Sequence, residues 1–236
     1  MIKIVFILFS LIIISFSQSL DYDQNCVAYS KKYNLCITPK EFESYYKNYK
    51  KQILSQVGKG NWYFTLADMI QAAKLLAFEK ILYKEAKKSG IEKTKYFERY
   101  KSKIEKEYKS IDKYVNNLIK QEKISKDKEQ ILKKNLKERI YNYYLKKAYL
   151  EKNLEPYLKV TSEDINNFML AHKGEYGFKK DPKHPKMKII SKQQLIEIIK
   201  TEKAYRVANE FSNYLWNMYN VTINTKLLRK LEKKNN

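Results

Sequence analysis

The side chains of this sequence that could do redox or metal chemistry are two cysteines and two histidines. Cys26 and Cys36 are the only cysteines, and without a C-x-x-C spacing they favour a structural disulfide over a redox-active pair. Neither His172 nor His184 stands at a metal-ligand spacing from a cysteine or a carboxylate. The sequence therefore predicts no metal site, and it offers no pair of groups for nucleophilic or redox catalysis.

Other catalytic and cofactor motifs are missing from the sequence as well. It contains no G-x-S-x-G, P-loop, G-x-G-x-x-G or H-E-x-x-H pattern. The adjacent acids Glu163 and Asp164 are explained better as helix-start charges than as a catalytic dyad. We therefore predict no catalytic residue and no cofactor, and we expect a protein that is not an enzyme.

Charge is the strongest compositional signal. The 236 residues include 48 Lys and Arg against 26 Asp and Glu, which gives a net charge of +22. Such a surface suits acidic polypeptides, an anionic membrane or nucleic acid, although A/T-rich codon usage would also enrich lysine, asparagine, isoleucine and tyrosine. Arginine occurs only four times, and bidentate recognition of phosphates and bases favours arginine, so we predict no nucleic-acid partner.

The first nineteen residues have the pattern of a secretory signal peptide. Lys3 precedes the apolar run Ile4 to Phe16, and small residues from Ser15 to Ser19 offer cleavage sites. We expect a periplasmic or otherwise extracytoplasmic protein, with an uncleaved N-terminal anchor as the alternative. No second apolar run is long enough for a bilayer, so cleavage would leave no stable membrane span. Export would favour the Cys26–Cys36 bridge, worth about 2–3 kcal/mol by loop closure.

The remaining elements predict a mainly α-helical fold with a minor β element. The stretch Leu66 to Ile91 is apolar on nearly every side of a helix, which indicates a helix buried between others. Capping residues mark further helix starts at Thr38, Thr161 and Ser191. The other predicted elements are an amphipathic helix from about Phe97 to Lys123, a helix from Ser125 to near Pro156, short strands at Cys26–Tyr29, Leu35–Ile37 and Val221–Ile223, and a basic tail.

Four segments, in order, resemble the N-terminal chaperone region of the SurA/PrsA/PpiD family of exported foldases. They are the strand-to-helix segment from Cys26 to Glu43, the helix Leu75 to Ile91 with its Glu-Ala…Gly-Ile ending, the Val160-Thr-Ser-Glu-Asp-Ile165 helix start, and the returning helix and strand from Leu195 to Ile223. The resemblance implies a SurA N-terminal-like helical domain. It would comprise residues 20–236, with a helical body over 20–159 and returning helices and a short strand over 160–236.

The sequence also departs from that family. Only a short Gly/Pro-containing loop separates His172 from Ser191, whereas the family often carries a parvulin prolyl-isomerase domain there. The family's opening Val-Asn-Gly is replaced by the segment Tyr29 to Leu35. The resemblance therefore implies an exported holdase that binds unfolded, nascent or outer-membrane polypeptides and lacks prolyl-isomerase activity.

A holdase needs exposed apolar surface surrounded by charge. We expect it in a groove between the helix from Thr38 to Val57, the central helix and the helices from Lys93 to Tyr157. For each candidate residue, a place in the core is more common than a client-binding role. The candidate client-binding residues are Trp62, Tyr63, Tyr100, Tyr141, Tyr144 and Tyr149. The alternatives are an exported helical scaffold that binds one defined partner and a lysine-rich binder of anionic surfaces.

Overall fold

The computed structural model describes residues 25–57, 63–121, 123–179, 183–184 and 186–235. These ranges are mainly α-helical, as predicted, with eight α-helices and a few short strands among them. They fall into two compact units, one formed by residues 150–211 and the other by residues 25–149 and 212–235. The predicted signal peptide lies outside the described residues. The predicted single domain with a division after residue 159 stays a prediction.

The larger unit begins with two strands and ends with a strand and a helix. Its elements are β1 (Ala28–Ser30), β2 (Leu35–Ile37), α1 (Pro39–Val57), α2 (Leu66–Lys88), α3 (Lys95–Glu98), α4 (Lys101–Lys120), most of α5 (Glu129–Leu154), the end of α7 (Lys192–Tyr219), β5 (Thr222–Ile223) and α8 (Thr225–Asn235). The smaller unit contains the end of α5, α6 (Ser162–Ala171), β3 (Tyr176–Gly177), β4 (Lys188–Ile189) and most of α7.

The three short strands of the larger unit form one antiparallel sheet in the order β2–β1–β5. Ala28 pairs with Ile37 on one side and with Ile223 on the other, so the last strand returns to the first. A disulfide joins Cys26 to Cys36 in the structure, with their Cα atoms 5.4 Å apart. The sheet thus holds the start of the unit against its end.

The central helix α2 is buried on several sides, as its sequence predicts. The backbone N–H of Thr65 donates to Asp68 Oδ2 at 2.8 Å, which caps the helix start. At the other end Gly90 has φ +62°, the left-handed conformation that glycine adopts without a steric penalty. Its buried residues are Met69, Ala72, Ala73, Leu76, Ala77, Phe78, Ile81, Leu82 and Ala86.

The segment predicted only as a basic tail folds into helix α8. The side chain of Asn224 accepts a hydrogen bond of 3.0 Å from the backbone N–H of Leu227, which caps the helix start. Leu228 and Leu231 are buried in the core formed by α1 and α2. Burial of leucine side chains at i and i+3 gives the segment an apolar face that its lysines conceal in the sequence.

Two further expectations need correction. The predicted continuous helix from Phe97 to Lys123 is interrupted after α3, and the longer helix α4 begins only at Lys101. Tyr100 occupies the break and is buried there, which makes the interruption part of the core packing. The predicted loop after Gly174 contains β3 and β4, which pair in parallel with Gly177 opposite Ile189.

The smaller unit has its own core. Phe168 of α6 packs with Leu195 and Ile199 of α7. Thr161 caps α6: its hydroxyl accepts from the backbone N–H of Asp164 at 3.2 Å, and its own N–H donates to Asp164 Oδ2 at 2.7 Å. Lys203 Nζ lies 2.6 Å from the same carboxylate oxygen and so ties α7 to the start of α6.

Candidate functional site

The six residues predicted to contact clients have very different environments. Trp62 lies outside the described residues, and Tyr63 is 82% exposed. Tyr141 is half-buried, and its hydroxyl donates to Glu92 Oε2 at 2.6 Å. Three others are buried, namely Tyr100, Tyr144 and Tyr149. The expectation of a shared exposed surface is therefore wrong for those three.

The buried tyrosines are packing residues, and the hydroxyl of Tyr144 has a hydrogen-bond partner. The rings of Tyr100 and Tyr144 lie 4.9 Å apart between centroids. The hydroxyl of Tyr144 donates to Glu107 Oε1 at 2.6 Å, and burial followed by this hydrogen bond raises its pKa to about 12. Burial, with a smaller contribution from Glu85, likewise raises the pKa of Tyr149 to about 12. Both phenols remain protonated near neutral pH, and that of Tyr144 acts as a hydrogen-bond donor.

The predicted groove beside α1 and α2 is filled by the chain itself. Phe42 and Tyr46 of α1 pack with Met69 and Leu76 of α2 in one core cluster, which α8 completes with its leucines. Lys80 of α2 also forms an ion pair of 2.8 Å with Glu41 of α1. The faces of α1 and α2 that were predicted to bind a ligand are therefore packed in the core.

The better candidate is the hairpin formed by α4 and α5. Lys137 Nζ lies 2.8 Å from Asp112 Oδ1, and Lys133 Nζ donates to Asn116 Oδ1 at 3.0 Å. Together with Tyr144 and Glu107 these contacts pair the two helices in antiparallel order. Polar contacts of this kind fix the register of the two helices. They do not bury the apolar side chains of the hairpin.

We call residues 116–143 the distal hairpin. None of the residues that the structure describes in this range is buried. Two helices alone have too little surface to cover an apolar stripe from all sides. The half-buried aliphatic residues of the distal hairpin are Leu118, Ile119, Ile124, Leu132, Leu136 and Ile140.

Fully exposed apolar side chains accompany this half-buried stripe. Ile131 on α5 is 64% exposed, and Tyr114 on α4, just before the distal hairpin, is 57% exposed. Exposed lysines lie at the turn and on both helices of the distal hairpin, namely Lys120, Lys123, Lys126, Lys128 and Lys134. The arrangement offers apolar contact within a basic rim.

Sequence reasoning did not select Ile131 or Tyr114. A helical wheel for α5 places Ile131 well away from the stripe of Leu132, Leu136 and Ile140. An apolar residue on the polar side of the helix was the feature of the sequence that could have identified Ile131 as exposed. Tyrosine is so abundant in this chain, with 21 copies, that Tyr114 could not be distinguished from core tyrosines by type alone.

The structure gives no sign of a metal-dependent site or a membrane span in the ranges it describes. In those ranges, no cluster of three or more histidine, cysteine or acidic residues is placed to hold a metal ion. None of the described helices combines the length and apolar character needed to cross a membrane. Comparison of the chain with protein-family models, with curated proteins and with solved structures finds no match.

Proposed function

We propose that this protein is an exported holdase of the SurA/PrsA/PpiD type that binds unfolded, nascent or outer-membrane polypeptides without prolyl-isomerase activity. The observation that carries the proposal is the distal hairpin, where half-buried aliphatic side chains and the exposed Ile131 lie within a rim of lysines. Apolar side chains of an unfolded polypeptide would bury the aliphatic surface, at about 25 cal/mol per Å² of apolar area.

The lysine rim gives this surface a second property. Lysine side chains keep an exposed apolar surface soluble, because they surround it with hydrated charge. They also attract acidic stretches of an unfolded chain and increase the rate of encounter. The proposed clients are therefore extended segments that combine apolar side chains with acidic flanks.

A paired set of variants tests the role of the hairpin. Ile131→Ser with Tyr114→Ser removes the two exposed apolar side chains of the hairpin. Leu170→Ser with Tyr157→Ser removes a matched aliphatic and tyrosine pair, 73% and 64% exposed, from the smaller unit. All four side chains are exposed, so both double variants should fold with nearly unchanged stability.

The measurement is light scattering by several chemically denatured exported or outer-membrane proteins diluted into buffer with equimolar protein. We expect the wild type and the Leu170/Tyr157 variant to suppress aggregation, and the Ile131/Tyr114 variant to suppress it several-fold less. The proposal is wrong if the wild type protects none of several clients. It is also wrong in its choice of surface if the two variants behave alike. A proline-limited refolding assay should show no acceleration.

A further inference from the structure

The outer side of α4 carries a straight row of exposed lysines. At 100° per residue, Lys106, Lys109, Lys113 and Lys120 fall within about 60° of arc, and they span about 21 Å along the helix axis. All four are exposed, and within the described residues none of them takes part in an ion pair. We call these four residues the lysine row.

The acidic residues of α4 are mostly directed away from the lysine row. Asp112 is paired with Lys137 of α5, and Glu107 accepts the hydrogen bond of Tyr144. Glu105 is the exposed acid of the helix, and it lies beside the row near its first lysine. Because the other acids are used inside the hairpin, the positive charge along most of the outer side is not balanced by the helix itself.

The residues between these lysines are polar. Ser110 and Asn117 occupy the same side of the helix and are exposed, so the row has no apolar seam for a packed protein partner. Exposed lysines continue from the end of the row around the turn, at Lys123, Lys126 and Lys128. A partner of this face must supply negative charge over a distance of at least the length of the row.

Two features favour a lipid surface over the other polyanions. Helix α4 contains lysine and no arginine, and lysine suits diffuse attraction to many headgroups better than bidentate recognition of phosphates in nucleic acid. Tyr114, at the flank of the row, is an exposed aromatic of the type that is enriched at membrane–water interfaces. We propose that the lysine row docks the protein on the surface of an anionic membrane.

Vesicle binding by the full-length protein produced by secretion tests this proposal. The row variant carries Gln at Lys106, Lys109 and Lys113, the three lysines of the row that lie outside the client-binding rim. The control variant removes the same charge by placing Gln at three scattered exposed lysines, Lys32, Lys88 and Lys152. Each protein is sedimented with vesicles of phosphatidylcholine alone or with 30% phosphatidylglycerol, at low and high salt.

We expect the wild type and the control variant to bind the phosphatidylglycerol vesicles at low salt and to dissociate at high salt, because salt screens exposed charge. The row variant should bind about a hundredfold more weakly, since each of the three lysines it lacks contributes about a fivefold factor near an anionic surface. Equal binding to neutral vesicles, or equal losses in the two variants, would overturn the proposal.

Two additional measurements separate this surface from other possibilities. Tighter binding of the row to single-stranded DNA than to anionic vesicles would assign it to nucleic acid and overturn the membrane proposal. The inference does not depend on holdase activity, because the row variant keeps every apolar residue and every rim lysine assigned to clients. The row variant should therefore still suppress client aggregation wherever the wild type does, so each proposal can fail without the other.

Discussion

The hydroxyl of Tyr219 donates a hydrogen bond of 2.8 Å to Oε1 of Glu85 and joins the end of α7 to the central helix α2. The ring of Tyr219 is buried and stacks on Tyr33 with 4.2 Å between centroids. Its backbone carbonyl also accepts a hydrogen bond from the hydroxyl of Ser30 in β1. Burial first, and then the Glu85 contact, hold the pKa of Tyr219 above its usual value. Tyr219 thus links strand β1, the turn between β1 and β2, and the central helix α2.

We expect Tyr219→Phe to lower the free energy of unfolding by about 1–2 kcal/mol, because the ring is kept and one largely buried hydrogen bond is lost. Chemical denaturation monitored by circular dichroism measures the change. The control is Tyr63→Phe, which removes a hydroxyl from an exposed ring and should change stability by less than about 0.5 kcal/mol. Equal effects of the two substitutions would show that the Glu85 contact contributes nothing.

The Asp164 cap predicts a stability loss in acid. The hydrogen bond from Lys203, followed by those from Thr161, lowers the pKa of Asp164 to about 2. Because the pKa of an unfolded aspartate is about 3.9, this contribution is fully present above pH 4 and is lost as the pH falls towards 2. We expect Asp164→Asn to be less stable than wild type at pH 7 and nearly equal to it at pH 2.

Denaturation midpoints at the two pH values measure that difference. The neighbouring exposed acid supplies the control, since Glu163→Gln leaves the cap intact and should follow the wild type at both pH values. A constant difference between Asp164→Asn and wild type from pH 7 to pH 2 would contradict the assignment of the pH dependence to this carboxylate.

Gly174 combines a left-handed backbone with a close neighbour. Its φ is +84°, and a Cβ atom at this position would lie 2.9 Å from Nδ1 of His184. We expect Gly174→Ala to destabilise the protein by about 1–3 kcal/mol through backbone strain and contact with the ring. In a His184→Ala background the cost should fall, because only the strain remains. A double-mutant cycle gives the coupling, and a value of zero would show that the ring moves away freely.

Local chemistry explains which parts of the fold were predictable. The helix starts after Thr38, Thr161 and Ser191 were predicted correctly because a cap depends on residues three positions apart. Helix α8 was missed because the lysines of its outer side dominate its composition. Its role depends on distant contacts of Leu228 and Leu231 with α1 and α2, which no local pattern contains.

The candidate site was less predictable than the fold for a related reason. Tyr144 and Tyr63 are the same residue type in similarly aromatic surroundings, yet one is buried against Glu107 and the other is exposed. The difference depends on which helices pack together, and periodicity identifies an apolar face without identifying its partner. The resemblance to exported foldases, the client-binding role and the export of the chain stay predictions.

The Cys26–Cys36 bridge connects that predicted export to stability. The bridge closes a sequence separation of 10 residues next to the pairing of β1 with β2. A loop of this size should stabilise the folded protein by about 2–3 kcal/mol, chiefly by restricting the unfolded chain. We expect reduction to lower the free energy of unfolding of the wild type by that amount.

The double variant Cys26→Ala/Cys36→Ala is the matched control, since it should show the lower stability in both the presence and the absence of reductant. Secreted wild-type protein, unfolded in denaturant, should yield no free thiol with a thiol-reactive dye, whereas protein made in a reducing cytosol should yield two. Two free thiols in the secreted protein would contradict the bridge, and reductant sensitivity of the double variant would assign the stability change to another cause. Alanine is chosen over serine because serine would bury a hydroxyl group at the Cys26 position. The difference in stability between the variant and the wild type then reports the loss of the cross-link.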